Sequence, residues 1–159
     1  MAVPGSWAFA AVAATGKQPN VIKQRGPAQP FDYARLKGMA KKLSDAPYQA
    51  PPSQLPPAIA QLDWDHWQSI RFREEHSVWA DEGLRFRIQF AHLGFVVNKP
   101  VRMFLVQDGQ SQEVAFDPAM YDYSRAGVAS RELPPTMGFA GFRILFHTDW
   151  TRDMAAFQG

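Results

Sequence analysis

The sequence contains no cysteine, which removes disulfides, thiolate nucleophiles and cysteine-ligated zinc together. Its four histidines, His66, His76, His92 and His147, never fall at HxH, HxxxH or HExxH spacing, so no local metal site is predicted. GxSxG, P-loop and GxGxxG patterns are missing as well. The glycine-bearing stretch Gly138-Phe139-Ala140-Gly141-Phe142 has hydrophobes where a phosphate cradle would need a following helix N-terminus. No bound cofactor is therefore expected. No apolar run reaches the ~18 residues a membrane-spanning helix needs.

What is present is the composition of a globular domain: 46% hydrophobic and 20% charged over 159 residues, enough for a real core. The net charge of +2 is unevenly spread. Residues 1–43 carry seven Lys/Arg against Asp32 alone, and the remainder carries ten against fourteen Asp/Glu. A basic arm on a slightly acidic body raises nucleic acid as a partner. The body, however, has no basic, aromatic-lined stripe to continue such a contact. No nucleic-acid partner is expected.

Residues 1–30 read as a signal remnant and linker. Ala8-Phe9-Ala10 and Ala11-Val12-Ala13 have the A-x-A form that precedes secretory cleavage; an apolar N-terminal tail without a targeting role fits the same residues. Pro19, Gly26, Pro27 and Pro30 argue against regular structure there. From Asp32, a plausible N-cap, Leu36, Met39, Ala40 and Leu43 recur at helical spacing until Pro47 stops the pattern. This predicts an amphipathic N-terminal helix with Lys37, Lys41 and Lys42 toward solvent. A proline loop and a short helix opening at Pro56-Pro57 follow.

Beyond Ser69 the period changes. "LRFRIQFAH" from Leu84 alternates, placing Phe86, Ile88 and Phe90 toward a core and Arg85, Arg87 and Gln89 away from it. "VRMFLVQ" (101–107) and "SQEVAF" (111–116) flank Asp108-Gly109, a strong hairpin pair. "FRILFH" (142–147) is the last clear strand. Short strands without intervening helices predict a mainly β, antiparallel body.

Two constellations carry chemistry. "LDWDHWQSIRF" (62–72) offers Asp63 and Asp65 as paired carboxylates for glycoside hydrolysis. Two residues apart in a helical turn, however, they would point in different directions. The stretch is better explained as an Asp-rich turn, with Trp64 and Trp67 packing onto the sheet. That leaves Trp79 in "HSVWADEG", which reads as a core or rim aromatic or a sugar platform, and Arg143 beside the glycine turn. These two are the candidate substrate-binding residues. No catalytic residue and no metal ligand is assigned.

The order of these segments resembles a known family. Phe31 and its helix are followed by "LP", "L-D-x-D-x-W-x-S-I-R-F", "SVWADEG", "FRIQFAHLGF", "PVRMFLVQDG" and "MGFAGFRILF". Over about residues 31–159 this is similar to the N-terminal part of the periplasmic glucan biosynthesis proteins G and D, and "VRMFLV" with "AGVASREL" is nearer the protein D branch. The resemblance implies a periplasmic protein that acts in making osmoregulated periplasmic glucans, with β-1,2-linked glucose backbones as partner. It also implies a galactose mutarotase-like β-sandwich, of which residues 31–159 would be a truncated N-terminal part. Some members hydrolyse β-1,2-glucan with acidic residues in a cleft, and those acids lie beyond the matching region. The expectation is a longer parent that is a β-1,2-glucan-acting hydrolase, with this chain inactive by itself; the alternative is a non-catalytic carbohydrate-binding or structural module.

Overall fold

The computed structural model describes residues 22–49 and 55–159. The two A-x-A stretches, Pro19 and part of the proline loop lie outside the described residues. The rest is mainly β, in three small antiparallel sheets.

The first sheet grows from the hairpin. Asp108 and Gly109 both take positive φ, 50° and 71°, the backbone a two-residue hairpin turn demands. They join β4 (Phe104–Gln107) to β5 (Gln110–Val114), with Gln107 opposite Gln110 and Leu105 opposite Gln112. On the other side of β5 lies β1 (Gln24–Pro30). This corrects the expectation of an irregular linker through residue 30. Proline and glycine are compatible with this strand because β1 is an edge, where a missing N–H costs no ladder bond. The register also shifts between Arg25 and Gln29, around Gly26 at φ 72°, as a bulge allows. The Gln112 side-chain amide donates to the Gly26 carbonyl at 2.7 Å and secures that bulge.

Helix α1 (Tyr33–Ser44) begins as the sequence predicts, with the Asp32 carboxylate accepting from the Arg35 amide at 2.6 Å. Its apolar stripe is not covered. Leu36, Met39 and Leu43 are exposed, and no α1 residue is buried among the described residues. Helix α2 (Pro57–Ala60) is different: its Ile59 is fully buried.

The third sheet is the body. β3 (Phe86–Ala91) pairs with β7 (Gly141–Phe146), which pairs with β8 (Asp149–Gln158). β8 has no clean alternation, and the sequence reading does not anticipate it. Gly141 permits the β7–β8 approach, since a Cβ there would lie 1.9 Å from the Phe157 carbonyl oxygen. The two-residue strands β2 (Arg71–Phe72) and β6 (Tyr121–Asp122) form the remaining sheet.

Phe90, Phe139 and Phe116 pack at the centre of the core, tilted and then edge-on, with centroids 4.7 and 5.7 Å apart along the series. Tyr121 donates its hydroxyl to the Phe90 carbonyl at 3.0 Å. Beside them sits His92, with its Nδ1 2.6 Å from the Leu93 carbonyl and its Nε2 2.9 Å from the Tyr123 hydroxyl. A carbonyl only accepts, so Nδ1 carries the proton and Nε2 accepts from Tyr123. Burial pushes the imidazole down to about 4, partly opposed by the Leu93 carbonyl.

The alternation of β3 holds only in part. Phe90 is buried and Ile88 half-buried, whereas Phe86 is 40% exposed at the rim beside Phe146. Gln89, expected toward solvent, is 2% exposed. A further segment lies along the open edge of β3: Val78 bridges Ile88 antiparallel, which sets Ser77 opposite Gln89, and the Gln89 side-chain amide donates to the Ser77 hydroxyl.

Candidate functional site

Asp63 and Asp65, the paired carboxylates of the sequence, stand at the exposed start of a short helix. Asp63 caps helix α3 (Trp64–Ser69), accepting from the His66 amide at 2.9 Å and lying 2.7 Å from the His66 ring Nδ1. Those bonds, the backbone one first, hold its carboxyl below the usual range. Both Asp63 and Asp65 are exposed. Trp64 and Trp67 pack with Phe95 rather than onto a sheet, at centroid distances of 5.1 and 6.1 Å. Gly94 is required beneath them, because a Cβ there would lie 2.5 Å from the Trp67 ring. Among the described residues, no group of three or more His, Asp or Glu side chains could hold a metal ion.

Trp79 lies elsewhere, in a cleft of about 530 Å³ between the 77–82 segment and the β1-β5-β4 sheet. Its φ is 67°, a conformation that bulky residues rarely adopt and that needs support from its surroundings. The support is visible on both flanks. The Val78 amide donates to Ile88 and the Ala80 amide to Ser77, at 2.9 and 3.1 Å. From below, Arg87 donates to the Ala80 carbonyl at 3.3 Å and stacks 4.3 Å from the Trp150 ring centroid. Trp79 as a whole remains 37% exposed.

The facing wall is a ladder of amides. Strand alternation puts Leu105 and Gln107 on one face of β4, and Gln110 and Gln112 on the same face of β5. All four line the cleft, and Gln24 of β1 joins them. Asp81 and Glu82 stand at the rim, both exposed. The cleft thus combines one aromatic plate with amides able both to donate and to accept hydrogen bonds, the Gln112 NH₂ being already engaged by the Gly26 carbonyl.

Arg143 is not in this cleft, but it is connected to it. It stands opposite Gln89 in the β3–β7 register, and its Nε and one terminal nitrogen donate to Gln89 Oε1 at 3.1 and 2.7 Å. Gln89 Nε2 then donates to Ser77 Oγ at 3.0 Å, and Ser77 lines the cleft. The two sequence candidates are therefore brought into one structural unit through residues the sequence reading missed. Gln89 carried no such signal, because in the sequence it continues the polar side of an alternating strand.

A second cavity, about 890 Å³, is lined by Arg73, Arg131, Glu75 and Asp122 among others. Its charges are of mixed sign, and Arg73 is already donating to the Tyr121 carbonyl.

Comparison with known proteins bears on the whole chain. The family model described as periplasmic glucan biosynthesis protein, MdoG, matches residues 31–159. Glucans biosynthesis protein D of Xanthomonas axonopodis pv. citri is 43% identical over 153 residues, covering 96% of this chain and 28% of that protein. The protein of the same name from Stenotrophomonas maltophilia is 46% identical over 138 residues, covering 87% of this chain and 26% of that one. The chain thus spans little more than a quarter of the length of these relatives. No helix among the described residues is long and apolar enough to cross a membrane. By its match over residues 31–159 and these identities, the chain belongs to the MdoG family of periplasmic glucan biosynthesis proteins.

Proposed function

We propose that this chain supplies a glucan-contacting surface to a periplasmic protein acting in the synthesis of osmoregulated periplasmic glucans, and that the Trp79 cleft is that surface. The observation that carries the reading is the pairing of an exposed tryptophan with an amide ladder across one cleft. A glucose ring has an apolar C–H face that stacks on an indole. Its hydroxyls both donate and accept, as glutamine amides do. Relatives named for glucan biosynthesis agree with this chemistry.

The cleft binds rather than cleaves. Glycoside hydrolysis needs two carboxyls roughly 5 to 9.5 Å apart across the bond, one kept protonated by its surroundings. Asp81 and Glu82 are exposed at the rim, where nothing excludes water from either. Hydrolysis of β-1,2-glucan, as an activity of the longer parent, is accordingly assigned to carboxylates outside this chain. The same exposure supports the second reading, a non-catalytic carbohydrate-binding module.

The test is calorimetric titration of the native protein with linear β-1,2-linked glucose oligosaccharides, using β-1,4-linked ones as control. Trp79→Ala should weaken β-1,2 binding by about tenfold, the order expected for losing a ring-stacking contact. Unchanged affinity would remove the cleft from the glucan path. Release of reducing ends by the native protein separates hydrolase from module.

A further inference from the structure

The row Arg143–Gln89–Ser77 runs across three neighbouring strand segments. Gln89 faces Arg143 in the β3–β7 ladder, and the Val78–Ile88 bridge sets Ser77 opposite Gln89. The chemistry of this row runs in one direction. A guanidinium only donates, so the Gln89 oxygen must face Arg143 and its NH₂ must face Ser77. Ser77 Oγ is thereby an acceptor toward Gln89, so its own proton points away from Gln89. Ser77 is 3% exposed and lines the cleft that holds Trp79.

We propose that Ser77 is a hydrogen-bond donor subsite on the floor of this cleft, fixed in that polarity by Gln89 and Arg143. Its ligand group is an acceptor oxygen of a saccharide, a ring, glycosidic or hydroxyl oxygen, seated while the sugar face lies near Trp79. Gln89 and Arg143 are positioning residues: they touch no ligand and act by deciding which way the Ser77 hydroxyl points. The inference rests on the glucan reading of the cleft.

The decisive variant is Gln89→Glu. A carboxylate of the same shape keeps both Arg143 bonds but can only accept, so Ser77 must turn its proton inward and face the cleft as an acceptor. In the native protein, titrated with linear β-1,2-linked glucose oligosaccharides, Gln89→Glu and Ser77→Ala should each weaken binding by about fivefold to tenfold. The double variant should be no weaker than either single one, because both remove the same donor. Melting of Gln89→Glu should match the unsubstituted protein. A Gln89→Glu protein that binds normally, or a double variant whose losses add, overturns the relay. If Trp79→Ala weakens binding and Gln89→Glu does not, the relay fails while the glucan reading stands. If Trp79→Ala is also without effect, both fail.

Discussion

Residues 22–49 and the β3–β7 body use their apolar side chains differently. In the first region only Ile22 and Phe31 are even half-buried, and the stripe of α1 faces outward. In the second, Phe90, Phe139 and Leu145 are each at most 5% exposed. The arm is fastened by polar means. Glu113 of β5 receives Arg25 from β1 and, at 2.6 Å, Arg102 from the segment before β4. Lys23 reaches Asp117 at 2.5 Å. The difference shows that an amphipathic sequence establishes a helix face, not what covers it.

The strongest way to break this comparison is to truncate one side chain in each region. Phe139→Ala should destabilise the fold by about 3 to 5 kcal/mol in denaturant melts, since the ring is 1% exposed between Phe90 and Phe116. A loss as small as that of a surface substitution would mean that these packed phenylalanines are not the core.

The next effect is set by pH. Neutral His92 is required by burial, and its folded value of about 4 lies below the 6.5 of an exposed imidazole. The unfolded chain therefore takes up the proton first as pH falls. Stability contributed by neutral His92 is complete above about pH 6.5 and is lost as pH drops toward 4. The loss is on the order of 3 kcal/mol. His92→Gln, which can still donate to Leu93 and accept from Tyr123, should flatten that part of the melting-temperature profile. An unchanged acid limb would place the pH sensitivity elsewhere.

A smaller change sharpens the contrast. Glu113→Gln removes the charge that both arginines share, and Glu113 is held below the usual carboxylate range by Arg102 first, with Arg25 adding to it. About 1 kcal/mol of local stability should go. The loss should appear as faster amide exchange in β1, with β3 and β7 unaffected. Uniformly faster exchange would mean that the arm and body open together. Smallest of all, Leu43→Ala on α1 should shift stability by less than about 0.5 kcal/mol. A larger shift in the native protein would reveal a cover over the helix face.

How much was legible in the sequence follows the same division. Local chemistry reads well: Asp108-Gly109 specified its turn, Asp32 its cap, and Pro56-Pro57 its short helix. Each depends on neighbours a few residues away. What depends on a distant partner did not read. Pro27 and Pro30 look like strand breakers until β1 is known to be an edge. Gln89 looks like a solvent-facing residue until the 77–79 segment is laid against β3. The cleft was half legible for that reason: Trp79 stands out as an aromatic, whereas the amides opposite it become a wall only when three strands are in register.

The hairpin of β4 and β5 also sets an order in time. Its strands are joined by only Asp108 and Gly109, so it can close within about 1 to 10 microseconds once synthesised. The Arg25–Glu113 contact spans 88 residues, and its loop-closure entropy must be met before any gain from pairing. β1 therefore docks late, on an edge already made by β5. Until it does, that edge stays open to any other extended segment, and the part of the cleft wall that includes Gln24 is not yet in place.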